Sequence, residues 1–203
     1  MARINNGIMG GFSGKVGTVV GYNRMGQACM RSLPKKTTKA PSEGQLINRK
    51  AMKSAMAWLK PIKDYVRVGF QNYSAKQHGF GSAVSYNKQK ALREDKTLDP
   101  SLAMISWGEL PAPEGVAVSN PDPGILEFTW PPVKGSKDRA LILTYSNETN
   151  YIGDLCGARR NEGKHVLDCK NLIGKEADIY MAFVSEERDK CSNSVYLGRM
   201  MVE

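Results

Sequence analysis

The sequence is poor in the residues from which most active sites are built. It has two histidines, His78 and His165, and neither lies in an H-E-x-x-H helix. It has four cysteines, Cys29, Cys156, Cys169 and Cys191, with no C-x-x-C pair among them. Zinc boxes and dithiol redox motifs are therefore excluded. No run approaches the roughly 18 apolar residues of a membrane helix. Gly7, Gly10, Gly11, Gly14 and Gly17 interrupt the apolar residues near the N-terminus, so no secretory h-region forms. Ala2 stands where myristoylation requires glycine. These absences lead to the expectation of a cytoplasmic protein whose cysteines stay reduced and serve as small buried hydrophobes.

Acidic residues are scarce in the first half. Residues 1–96 hold 18 Lys and Arg against 4 Asp and Glu, a net of +14. Residues 97–203 hold 11 against 16, a net of −5, which gives the total of +9. Such asymmetry points to a basic face that meets something acidic. The acidic partner is either nucleic acid or the acidic half of another copy.

Three segments precede the strands. Residues 1–13 read as an extended Gly- and Asn-rich arm, with Ile4, Ile8, Met9 and Phe12 as isolated anchors. The β-branched run from Gly14 to Tyr22, the turn Asn23–Gly26 and the return Gln27–Leu33 predict a β-hairpin over 15–33. A lone hairpin is marginal in water, so it needs a surface to lie on. Pro34 to Pro41 is a basic linker. Ser42 with Gln45 reads as a capping box, followed by a helix over 43–59. Met52, Ala55, Met56 and Leu59 fall on its core stripe, with Trp58 beside it. Pro61 opens a second helix carrying Ile62, Tyr65, Val66 and Phe70, and a third runs over 81–93. Residues 42–99 thus form a basic helical segment and 100–111 a linker.

Beyond Pro100 the pattern turns to short strands, at 115–119, 124–130, 139–146, 150–156, 164–169, 177–185 and 193–202. Seven strands over about ninety residues fit an immunoglobulin-like sandwich. The fold class expected is α+β: an N-terminal hairpin arm (1–41) and short helices, then a β-sandwich over 112–203.

The residues carry two resemblances. Trp130 with Pro131 and Pro132, and the strand Ile179–Val184, resemble strands B and F of a fibronectin type III domain. That likeness implies a tyrosine-corner-like turn between Leu172 and Tyr180, although the corner's usual proline is absent. The whole chain also resembles a bacterial family of uncharacterised proteins with the signature G-x-x-G-x-F-S-G-K-V-G-x-V-V-G. Here the signature spans Gly7–Gly21, followed by Met30–Pro34, Gln45 with Arg49, and the closing stretch 192–198. The family has no established activity. More loosely, the chain is similar to prophage-type proteins, which implies an assembly role by analogy.

Catalytic motifs fail on inspection. A P-loop around Gly14-Lys15 would need glycine where Met9 stands and a hydroxyl where Val16 stands. His165 and Cys169 share a strand face about 13 Å apart, too far to act together. Glu186, Glu187 and Asp189 sit with Arg188 and Lys190 in a solvated loop that offers no pocket to perturb a carboxylate.

What remains is a basic set: Arg24, Arg31, Lys35, Lys36, Lys39, Arg49, Lys50 and Lys53. These are the expected partner-binding residues. The function expected is non-enzymatic: a structural or assembly protein whose arm and hairpin dock on neighbouring copies or on another acidic protein. The alternative is nucleic-acid binding without sequence preference, with Tyr22, Trp58 and Tyr65 available to stack on bases. No catalytic residue, metal, cofactor, membrane or small-molecule substrate is expected. The location expected is the cytoplasm, or a virion if the chain is phage-derived.

Overall fold

The computed structural model describes residues 2–3, 10–35, 38–147 and 150–203. The anchors Ile4, Ile8 and Met9 lie outside the described residues. The chain divides into two compact units, residues 1–42 and 43–203.

The smaller unit is a four-stranded antiparallel sheet. Its strands are β1 (Ala2–Arg3), β2 (Gly14–Val16), β3 (Val19–Arg24) and β4 (Gln27–Ser32), in the order β1-β4-β3-β2. The strand expected over 14–22 is thus broken in two. Gly17, at φ +56°, opens a two-residue turn that pairs Val16 with Val19. A type II′ hairpin turn reserves its first central position for glycine. The next turn has positive φ at both Met25 (+49°) and Gly26 (+81°), as a type I′ turn requires, and pairs Arg24 with Gln27. Alternation sends Val20, Tyr22, Cys29 and Arg31 to one face, and Val16, Val19, Gly21, Ala28 and Met30 to the other.

The larger unit begins with α1 (Glu43–Leu59), α2 (Lys63–Gly69) and α3 (Gly79–Lys90). In α1 the core face is Ala51, Ala55, Trp58 and Leu59, whereas Met52 is 43% exposed. The expected stripe was therefore rotated by one residue, because Met52 outranks Ala51 in hydrophobicity but not in position. Helix α3 stops three residues short of expectation. A tight turn follows it, in which Leu92 bridges Leu98 and the Asp95 carboxylate accepts the Thr97 backbone N–H at 2.9 Å.

Seven strands follow: β5 (Ala117–Asp122), β6 (Ile125–Thr129), β7 (Arg139–Asn147), β8 (Asn150–Asp154), β9 (Lys164–Asp168), β10 (Glu176–Val184) and β11 (Val195–Met201). They form two antiparallel sheets, β11-β10-β7-β8 and β5-β6-β9. The fold is mixed α+β, with helices and antiparallel sheets together.

Strands β7 and β10 are buried on both faces. Leu141, Leu143, Tyr180, Ala182 and Val184 pack with Trp58, Leu59, Ile62, Val66 and Phe70 of the helical segment. Their alternate neighbours Ala140, Ile142, Ile179, Met181 and Phe183 pack with Leu126, Phe128 and Leu167 of β6 and β9. The stretch after α3 adds Ala103 and Ile105 to the first of these clusters.

The closing sequence Ser192-Asn193-Ser194 stitches that stretch down. Ser194 Oγ accepts the Ile105 N–H at 3.0 Å, and Asn193 Oδ1 accepts the Gly108 N–H at 3.1 Å. Ser106 Oγ donates to the Ser192 carbonyl at 2.7 Å.

The expected tyrosine corner does not form. The Tyr180 hydroxyl donates to the Pro100 carbonyl at 2.6 Å, far away in sequence. Leu172 is buried in the other cluster. Tyr180 faces the helical segment, so its hydroxyl reaches the stretch that follows α3.

Candidate interaction surface

The expected basic set divides between the two units. In the smaller one, Arg24 and Arg31 lie on the same face of the β3–β4 pair, and the Arg31 guanidinium sits 5.9 Å over the Tyr22 ring. Lys35 and Lys39 follow in the linker and are exposed, while Lys36 lies outside the described residues. In the larger unit, Arg49, Lys50 and Lys53 occupy the exposed side of α1, opposite its core face. Lys88 of α3, absent from the expected set, joins this second group: its Nζ donates to Asn48 Oδ1 at 2.6 Å. Helical pairing of α1 with α3 brings it there, and no spacing in the sequence could have shown it.

The aromatic residues are less available than the sequence implied. Trp58 is buried, with its ring 5.4 Å from Tyr145 and 5.8 Å from Tyr180. Tyr65 donates its hydroxyl to the Gly153 carbonyl at 2.6 Å, and burial pushes its pKa up to about 12. Trp58 is thus closed to a base, and Tyr65 is part-buried with its hydroxyl engaged.

The smaller unit carries an open groove of about 660 Å³, lined by Thr18, Val19, Met30, Arg31, Ser32, Leu33, Pro34 and Lys35. The sequence stretch Met30–Pro34 therefore forms most of its wall. A smaller cleft of about 180 Å³ in the larger unit is lined by Asn72, Trp107, Gly108, Glu109, Lys190 and Cys191.

Several of the titratable groups singled out in the sequence have structural partners. His165 Nδ1 accepts the Ala158 N–H at 3.1 Å, which leaves Nε2 to face the Asp154 carboxylate at 2.8 Å. Cys169 is buried in the core rather than beside His165 as a partner, and its thiol is pushed up to about 11 by burial. Cys191 is likewise pushed up to about 11 by burial and donates to the Val68 carbonyl at 3.3 Å. A thiol held in its neutral form is a poor nucleophile. Glu186 engages Arg159 at 2.7 Å. Asp189 is held below the usual carboxylate range by the Ser185 hydroxyl. Among the described residues, no group of three or more His, Cys, Asp or Glu side chains is placed to hold a metal ion.

A family model matches residues 11–198. The chain belongs to DUF6266, a family of unknown function. No curated protein matches it. Among solved structures, it is similar to the fibronectin type III domain of the human collagen alpha-1(XX) chain at 10% identity. That match covers 45% of this chain and 84% of the other, with a TM-score of 0.33, a likeness too slight to argue from. The DUF6266 match takes in residues 11–42 of the smaller unit, with all of the groove's lining, and nearly all of the larger unit. Among the described residues, no helix is long and apolar enough to cross a membrane.

Proposed function

We propose that this DUF6266 chain is a non-enzymatic structural or assembly protein. Its basic N-terminal sheet docks on an acidic protein surface, whether a neighbouring copy or a separate partner. One observation carries this reading. Within β2, β3 and β4 only Gly21 and Cys29 are buried, while Val16 is 64% exposed. A sheet with so little apolar surface covered gains little from the hydrophobic effect, and a bound surface would supply the missing burial. Residues 1–42 also hold seven cations and no acid, so the surface it favours is acidic.

Residues 112–203 act, in this reading, as a fibronectin III-like sandwich module. The strand order β5-β6-β9 against β11-β10-β7-β8 supports it, as does Trp130, whose ring lies 5.8 Å from Phe183 between the two sheets. Such modules are common scaffolds for interaction.

The test weighs the full chain by light scattering and uses it as bait, beside a chain lacking residues 1–33. An oligomer or a retained protein that disappears with the deletion supports the reading. A monomeric full chain that retains no protein overturns it.

One feature favours nucleic acid as a second reading: Arg49, Lys50 and Lys53 stand together on exposed turns of α1, with Lys88 nearby. It requires binding to duplex DNA or RNA near physiological salt, falling steeply as salt rises. Replacing Lys35, Lys36 and Lys39 with Ala should flatten that slope. No detectable binding removes this reading.

A further inference from the structure

We infer that the groove on the N-terminal sheet is the docking site for an extended, acidic segment of a partner protein, one that lays a large apolar side chain into it. The inference rests on the assembly reading above and names the chemistry of its partner.

The sheet face bearing the groove is half covered by its own chain. Phe12 lies over Gly21, so closely that a Cβ there would strike its ring and carbonyl, and Gly11 lies over Ala28. An extended piece of chain thus already lays one aromatic side chain on this face. Among the described residues none lies over the other half, around Val19, Met30 and Leu33, as Phe12 does over Gly21, and that half forms the groove. Val16 on the adjoining strand is 64% exposed and Leu33 is 39% exposed. The groove is open rather than enclosed, which suits a chain segment better than a small molecule.

Charge and lining narrow the occupant. Residues 1–42 contain Arg3, Lys15, Arg24, Arg31, Lys35, Lys36 and Lys39, and the first acid in the chain is Glu43. A second copy of this same sheet would be repelled, whereas carboxylates are drawn to Lys35 on the groove wall. The apolar part of the lining, Val19, Met30, Leu33 and Pro34, is aliphatic, and no lining residue is aromatic. Tyr22, the aromatic residue of β3, alternates to the opposite face and lies beneath Arg31. The groove therefore offers no stacking platform for bases, and a leucine-like side chain fits it better than a nucleotide.

The probe is a short labelled peptide alternating Glu and Leu, titrated into the full-length chain and followed by anisotropy and by backbone amide shifts. Binding should move the amides of Val19 and Met30–Lys35. Leu33 lies beyond the end of β4, so Leu33→Asp leaves the strands intact. It should weaken binding by about tenfold, as a charge replaces a buried apolar contact. Lys35→Glu should weaken it by about threefold and make its salt dependence shallower.

Peptides alternating Lys and Leu, or Glu and Ser, should bind at least about tenfold more weakly. Equal binding of either control, or an unchanged Leu33→Asp, overturns the inference. Displacement of the peptide by oligo-dT at the same amides would assign the groove to nucleic acid instead. Self-association that Leu33→Asp abolishes would assign it to a second copy. If Leu33→Asp keeps the oligomer or bait-bound protein that loss of residues 1–33 removes, the groove assignment fails and the assembly reading survives. If that deletion changes nothing either, the assembly reading fails as well.

Discussion

The two units of the chain both contain antiparallel sheet, yet they bury it very differently. In residues 14–32 a strand residue is more often exposed than not, and the two buried ones are Gly21 and Cys29. In residues 176–184 every position after Glu176 is buried. The turns of the smaller sheet are well formed, with positive φ where the turn types need it. Good local geometry and a paired backbone therefore do not distinguish the two. Apolar burial does, since it is the term that offsets the entropy of ordering a chain. The larger unit has it on both sides of β7 and β10, and the smaller one has half a face of it.

The strongest way to break this contrast is to empty the larger core. Phe70 is fully buried between Tyr73 and Tyr86, at 5.7 and 5.8 Å. Phe70→Ala should lower the stability of the main urea transition by about 3–5 kcal/mol. Amide exchange in β3 and β4 should not change. A core substitution that left the urea midpoint unmoved would contradict the layered packing.

Next comes the charge network at the end of β10. Asp178 is 4% exposed and accepts from Arg199 Nε at 3.0 Å, Arg199 Nη2 at 2.9 Å and the Tyr196 hydroxyl at 2.8 Å. Asp178→Ala should cost about 1–3 kcal/mol in the same titration, at the lower end because the Arg199 head is half solvated.

Alkaline pH gives a third, smaller handle on the larger unit. Burial raises Cys169 and Cys191 from 9.0 to about 11. Below pH 9 both are protonated, folded or unfolded, and contribute nothing pH-dependent. Between pH 9 and 11 the unfolded chain releases these protons while the folded chain keeps them, so stability falls as pH rises. The urea midpoint should drop across that window, and Cys191→Ala should make the drop shallower. A midpoint flat from pH 8 to 11 would sink the prediction.

The smallest effect sharpens the contrast from the other side. Met25 holds φ +49° in the hairpin turn, a place asparagine fills at lower cost. Met25→Asn should stabilise the β3–β4 pair by about 0.5 kcal/mol. The measure is slower amide exchange in Gly21–Met30, with the main transition unmoved.

Much of the larger unit was legible. The seven strands expected between 115 and 202 all form, with ends displaced by up to three residues. The helix over 43–59 forms at those bounds. Period and punctuation by proline were sufficient, since both are local. Other features were missed or misjudged. Gly17 has β-branched neighbours that predict a strand, whereas its positive φ puts a turn there. The unbroken apolar runs Ala140–Leu143 and Ile179–Val184 were the signal that both faces of these strands are covered, as buried strands require.

Of the candidate site, the sequence supplied the exposed cations but not the groove between them. Met30–Pro34 stood out as a string, and only the pairing of Val19 with Ser32 turned it into a wall.

By itself the sequence determined element type, strand and helix positions, charge asymmetry and the lack of catalytic boxes, because each depends on neighbours a few residues apart. Tertiary structure alone decided that Tyr180 reaches Pro100, that Ser192–Ser194 holds the stretch after α3, and that Lys88 joins the cations of α1. Those contacts join residues tens of positions apart. They exist only once apolar burial has packed α1 on α3 and the helical segment on β7 and β10.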